Sequence, residues 1–202
     1  MKIAVLSDGS AEALAITHLL RKIAIPDAQL LDAKYSNMQP KDTAAQIARQ
    51  ALVTINILRA RGVDRFVVIL DREDRGECPG AWSASVEQAL NALGVMNVSV
   101  AIKNRKFENW LIADPAAISG INGFSVSRAR RQLVEPNKAD HVTDAERWLS
   151  DCVRDGYKKG VHPERICRAA SYGVMAANSR SFRRFLRILG YPLYRLQSRR
   201  VA

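Results

Sequence analysis

Two hydrophobic periods alternate along the first half of the chain. Residues 2–6 form a short apolar run that ends in Ser7-Asp8-Gly9-Ser10 and reads as a buried strand. Residues 11–23 follow with Leu14, Ile16, Leu19, Leu20 and Ile23 on one broad apolar helical face, and Ser10 is the candidate cap. Pro26 separates this helix from a strand expected over residues 29–34. Residues 43–61 carry a long helical pattern closed by Gly62. The clearest strand covers residues 65–70, Arg-Phe-Val-Val-Ile-Leu, whose unbroken apolar run is what a strand covered on both faces requires. A helix over residues 83–93 and a strand over residues 98–102 complete the alternation, which predicts an α/β fold with a parallel sheet flanked by helices.

Beyond residue 104 the pattern changes. Residues 107–113 predict a short helix stopped near Pro115, residues 119–140 read as irregular, and residues 143–190 read as three helices. The expected organisation is an α/β domain over residues 1–115, with an irregular segment and a basic helical region over residues 116–202 packed on it.

Composition alters this picture in one respect. A hydrophobic fraction of 48% and a charged fraction of 25% are those of an ordinary globular chain, which excludes intrinsic disorder and collagen. The net charge of +11 is unevenly spread: from Lys158 onward eleven Lys/Arg face the single acid Glu164, while the preceding residues are nearly balanced. A basic C-terminal quarter points to an acidic partner, nucleic acid first. No run approaches the ~18 apolar residues of a membrane span, and no membrane partner is expected. Cys78, Cys152 and Cys167 are odd in number and form no CxxC pair. They read as reduced thiols in a cytoplasm. His18, His141 and His162 are equally scattered, which argues against zinc.

Carboxylates follow several of the expected strands: Asp8 and Glu12 after the first, Asp71, Glu73 and Asp74 after the central one, Glu108 after that over residues 98–102. In open parallel sheets the functional crevice lies beyond the carboxyl ends of the strands. Acids converging there suit an oxygen-loving divalent ion. The competing explanation is that Asp8 caps the first helix and Glu12 favours its dipole. Three acids within residues 71–74 repel one another unless a cation, or Arg72 and Arg75, offsets them.

The stretches Asp8-Gly9-Ser10-Ala11-Glu12, Val67-Val68-Ile69-Leu70-Asp71-Arg72-Glu73-Asp74 and Phe107-Glu108-Asn109-Trp110-Leu111-Ile112-Ala113-Asp114 resemble the Toprim-like fold. That fold is shared by topoisomerases, DnaG-type primases and OLD-type nucleases. More narrowly, these stretches, with Ser181-Phe182-Arg183-Arg184-Phe185, resemble a bacterial family of Toprim-like proteins found beside ATPase genes in defence-type operons. Asp8 stands where that family has Glu, and Asp71-x-Glu73 stands where it has DxD. The resemblance implies phosphoryl-transfer chemistry on DNA or RNA with Mg2+ or Mn2+, and an ATPase partner. It makes Glu12, Asp71 and Glu73 catalytic, with Asp74 and Glu108 joining them as metal ligands. The alternative is a non-enzymatic subunit that binds nucleic acid or an ATPase.

Arg180, Arg183, Arg184 and Arg187 recur at i, i+3, i+4, i+7, opposite Phe182, Phe185, Leu186 and Leu189. They form either a solvated helix face or a phosphate-contacting one, and the scarcity of nearby acids favours phosphate. Arg128, Arg130, Arg131 and Lys138, in the irregular segment, read first as a solvated loop and are candidates for a second phosphate-binding edge. Trp110 could stack on a base but its spacing reads as core. No GxxxxGK[ST], GxGxxG or GxSxG motif is present, so P-loop, dinucleotide and nucleophile-elbow chemistry find no support.

Overall fold

The computed structural model describes residues 1–194. The basic residues Arg195, Arg199 and Arg200 lie outside them. Five strands, β1 (Lys2–Ser7), β2 (Gln29–Leu30), β3 (Lys34–Tyr35), β4 (Arg65–Asp71) and β5 (Val98–Lys103), pair in parallel in the order β2-β1-β4-β5, and β3 also pairs with β1. The helices between them are α1 (Ser10–Leu20), α2 (Ala44–Arg59) and α3 (Pro79–Ala92). After β5 come α4 (Phe107–Leu111), α5 (Pro115–Ser119), α6 (Arg128–Val134), α7 (Ala145–Ser150), α8 (His162–Ala169), α9 (Tyr172–Asn178) and α10 (Arg180–Leu189). The expected α/β architecture with a parallel sheet is therefore present.

Side chains of the strands alternate between two packed faces, as a pleated strand requires. Ile3, Val5, Val67, Ile69 and Ala101 share one core with α1 and the helices that follow β5. Ala4, Leu6, Phe66, Val68, Leu70, Val100 and Ile102 share the other with α2 and α3. Covering both faces explains why the central strand is apolar at consecutive positions.

Several local expectations are corrected. The second strand is broken: Leu30 pairs with Ile3 but Lys34 with Leu6, so four residues on one side span three on the other. The extra residue is a bulge, and Thr17 Oγ1 accepts the Ala33 N–H freed there at 3.0 Å. Ser10 is the first residue of α1 and not its cap; Gly9 occupies that position without a side-chain bond. Leu14 points outward, 67% exposed, because the sheet covers a narrower stripe of α1 than its apolar residues offer. Thr43 caps α2 through a capping box with Gln46 and so precedes the helix. The helix expected from residue 83 begins at Pro79, which favours a first turn. Residues 119–140 hold α6, capped by Ser127, and a 3-10 turn at Ala139–His141. Four helices, not three, occupy residues 143–190, because Ser179 ends α9 and caps α10.

Trp110 is fully buried between Phe182 and Phe185 and donates its indole N–H to Ser181 Oγ at 2.7 Å. Trp110→Phe keeps the ring contacts and removes that donor. It should lower folding free energy by about 1–2 kcal/mol in urea denaturation.

Candidate metal centre

Strand order reverses beside β1. The chain leaves β1 through α1 toward β2 and β3 on one side, then returns through α2 to β4 on the other. The crevice at the carboxyl ends of β1 and β4 is thus the topological switch point, where such sheets bind ligands. Asp8 follows β1 and Asp71 ends β4, so the two acids flank that crevice. Glu12, in the first turn of α1, sits favourably at the positive end of its helix.

These three acids converge, each offering an oxygen within 4.8 Å of the others. At their centre is a residue that the sequence reading missed, Lys103, which ends β5 opposite Asp71 and is 0% exposed. Its Nζ donates to Asp8 Oδ1 at 2.8 Å and to both Glu12 oxygens at 2.6 Å. It lies 3.0 Å from Asp71 Oδ1, off the line of a hydrogen bond, and that oxygen is buried with no hydrogen-bond partner. Asp8 Oδ2 accepts the Asp71 backbone N–H at 3.0 Å and ties the two strand ends together. The signal for Lys103 was a lysine closing a buried strand, which in sequence looks like an ordinary polar boundary.

Burial dominates the electrostatics. It raises the Glu12 pKa well above its usual value, opposed chiefly by Lys103 and reinforced by Asp8 and Asp71. Burial also pushes Asp71 up to about 7, opposed by Lys103 and reinforced by Asp8 and Glu108. For Lys103 burial works against the charge, but Asp71, Asp8 and Glu12 together outweigh it and hold the ammonium well above its usual value. Three carboxylates against one ammonium leave a formal −2 when all are ionised, the charge that a divalent ion would neutralise. All donors are hard oxygens, and one buried oxygen, Asp71 Oδ1, accepts no hydrogen bond. The triad could therefore hold a metal ion.

Glu73 and Asp74 are not in the triad. Glu73 adopts φ +49 and faces Lys41 at 4.0 Å, while the Asp74 side chain is fully exposed, 4.0 Å from Arg105. The chain turns away after Asp71 because the loops after β4 and β5 continue pairing: Arg72 N–H donates to the Lys103 carbonyl and Glu73 N–H to that of Arg105, itself at φ +53. Glu108 also lies outside the triad, buried, accepting from the Tyr157 hydroxyl at 3.2 Å, with Lys159 at 3.9 Å. The third strand end thus delivers a cation to the centre and holds its carboxylate one layer behind. Lys41, Arg105, Lys106 and Lys159 belong to the surrounding loops and had no place in the sequence reading, while Arg72, expected there to offset the neighbouring acids, donates to Asn104 Oδ1 at 3.1 Å.

The basic candidates divide. Arg183 donates to the Ala176 and Ala177 carbonyls and to Asn137 Oδ1, closing the end of α9. Arg184 donates to Ser83 Oγ on α3, and Arg130 pairs with Asp151 at 2.6 Å. Arg180, Arg187, Arg131 and Lys138 have no acidic partner among the described residues.

Fold and site together define a parallel-sheet α/β protein with a buried carboxylate–lysine cluster at its switch point. The sequence matches the family described as "Domain of unknown function (DUF4276)" over residues 8–190, and the chain belongs to that family. No curated protein and no solved structure matches it. No helix among the described residues is long and apolar enough to cross a membrane.

Proposed function

We propose that the chain is a Mg2+- or Mn2+-dependent phosphodiesterase of Toprim type that cleaves nucleic acid. The observation that carries this reading is the convergence of Asp8, Glu12 and Asp71 at the switch point, with the buried Asp71 Oδ1 accepting no hydrogen bond. Those three carboxylates would hold the ion, whose chemistry is to neutralise a scissile phosphate and acidify water. Lys103 fixes the acids' orientation through its contacts with all three. Burial raises Asp71 to about 7, so this residue would give up its proton on holding a cation. Glu108, held by Tyr157, keeps negative potential beside Asp71. Lys41, Arg72 and Arg105, on the surrounding loops, would draw the phosphate backbone toward the acids. A cytoplasmic setting beside an ATPase partner, in a defence operon, belongs to the same proposal through the sequence resemblance.

The test is cleavage of plasmid, single-stranded DNA and RNA by the full chain with either metal, beside Asp71→Asn. Metal-dependent cutting should fall at least about 100-fold in the variant, beyond what loss of an outer-shell partner costs, while its circular dichroism stays unchanged. A folded wild-type chain that cuts none of the three would sink the nuclease reading.

One observation favours a second reading, a non-enzymatic subunit binding nucleic acid or an ATPase: Lys103 already contacts all three acids, as in a purely structural ion cluster. Whether the chain cleaves nucleic acid or only binds it, its affinity for that partner should fall steeply with salt. Arg180→Ala and Arg187→Ala should each lower the slope of log affinity against log salt by about 1. Unchanged slopes would remove α10 from the interface.

A further inference from the structure

A cavity of about 270 Å3 lies away from the acid cluster, between the N-terminal turn of α8 and the segments around Phe124 and Arg154. Its floor is tied down: Phe124 and Val153 form an isolated antiparallel bridge, and Ser125 N–H donates to the Cys152 carbonyl at 2.8 Å. Arg154, Lys158 and Arg165 line it, against one acid, Asp155. Arg165 is anchored by donating to the Asn122 carbonyl at 2.8 Å, with its guanidinium 5.6 Å from the Phe124 ring centre. Arg154 and Lys158 have no acidic partner among the described residues. Glu164, the acid in the first turn of α8, is engaged by Arg168 at 2.6 Å and His18 at 3.1 Å.

The remaining wall is His162, 6% exposed and packed edge-on against Phe124. Its Nδ1 accepts the Lys158 backbone N–H at 3.0 Å, which puts the neutral ring's proton on Nε2. Burial first, then Arg165 and Lys158, hold its pKa below the ordinary value, so the ring is neutral at pH 7. Nε2–H has no hydrogen-bond partner among the described residues, on a ring that lines the cavity. Val161, in the cap position before α8, makes no side-chain cap bond.

We propose that this cavity binds a phosphate group, held by Arg154, Lys158 and Arg165 with His162 Nε2–H as a fourth donor. A lining of three cations and one acid suits a dianion better than a single carboxylate, and several donors on different segments suit a tetrahedral oxyanion. The volume accommodates a phosphate and a few further atoms, with Phe124 offering an apolar surface to whatever bears it. The proposal goes beyond the nuclease reading and stands without it. Tyr157 separates the two sites: its ring centre is 5.8 Å from that of His162 and its hydroxyl reaches Glu108. The phosphate can therefore be the terminal group of a nucleic-acid strand or belong to a small phosphorylated molecule.

Calorimetric titration of the full chain in chloride buffer with inorganic phosphate, AMP, and a 5′-phosphorylated or 5′-hydroxyl oligonucleotide tests it. Phosphate should bind saturably. The Lys158→Ala/Arg165→Ala double variant should weaken binding at least about tenfold, and Arg49→Ala on α2 should leave it unchanged. His162→Phe, which keeps the aromatic packing, should also weaken it, with thermal midpoints confirming that each variant is folded. Tighter binding of the 5′-phosphorylated oligonucleotide, lost in the double variant, identifies a strand end. Binding of phosphate and AMP without that gain identifies a small molecule. No saturable binding at about 10 mM phosphate, or equal binding by wild type and double variant, overturns the proposal.

Discussion

Lys103→Met is expected to lower folding free energy by about 3–5 kcal/mol, the usual cost of removing one member of a buried ionic group. The ammonium is the only cation within reach of Asp8, Glu12 and Asp71 among the charge pairs of the described residues. Its long stem is fully buried, so methionine preserves most of the packing. What is lost is compensation: three acids remain in a desolvated space, and each further ionisation becomes harder. The variant should therefore be most destabilised above pH 7 and regain part of its loss in acid, where the carboxyls are protonated. Mg2+ should raise its unfolding midpoint more than that of wild type, since the ion then supplies the only positive charge. Equilibrium urea unfolding at pH 5 and pH 8, with and without Mg2+, reads all three effects. A midpoint equal to wild type at pH 8 would show that the cluster is solvated and unimportant to the fold.

The second large effect is the pH dependence of wild-type stability. Asp71 is raised from 3.8 to about 7, so between those values the folded chain holds a proton that the unfolded chain has released. Stability then falls as pH rises through this window, by up to about 4 kcal/mol at 1.36 kcal/mol per unit. Glu12, also raised, acts in the same direction. The effect runs opposite to the usual salt-bridged carboxylate, whose depressed pKa makes acid destabilising. Asp71→Asn should flatten the slope and be more stable than wild type near pH 8, a gain expected where a site is strained for binding. Saturating Mg2+ should flatten it as well, because the bound ion displaces the same proton. Wild-type unfolding midpoints that do not decline between pH 5 and pH 8 would contradict the arrangement of charges described here.

What could be read from sequence followed from periodicity, and what could not was tertiary. The apolar run over residues 65–70 announced a strand covered on both faces, and the alternation around it announced the parallel sheet. Asp71, at the end of that run, and Glu12, just after the first strand, could be nominated from position alone. Asp8 could not be separated from a helix cap, because capping and convergence both demand a carboxylate after a strand. Glu73 and Asp74 looked as good as Asp71; the two positive-φ residues Glu73 and Arg105, which turn the loops aside, leave no mark in hydropathy. Lys103 was invisible for a related reason. Its neighbours in space are distant in sequence, and only the register Asp71↔Lys103 brings it to the acids. Helix α6 was missed because three of its first four residues are arginines and its apolar anchoring rests on Val134 alone.

The core shared between the sheet and the late helices bears on how the chain is made. Val5, Val67, Ile69 and Ala101 belong to the first half to leave a ribosome, yet α8 and α10, which pack on α1 and β5, come last. A nascent chain halted after β5 has finished its strands while one apolar face is covered by α1 alone. Until the last helices emerge, that face is the surface on which a chaperone, or another nascent copy, would settle.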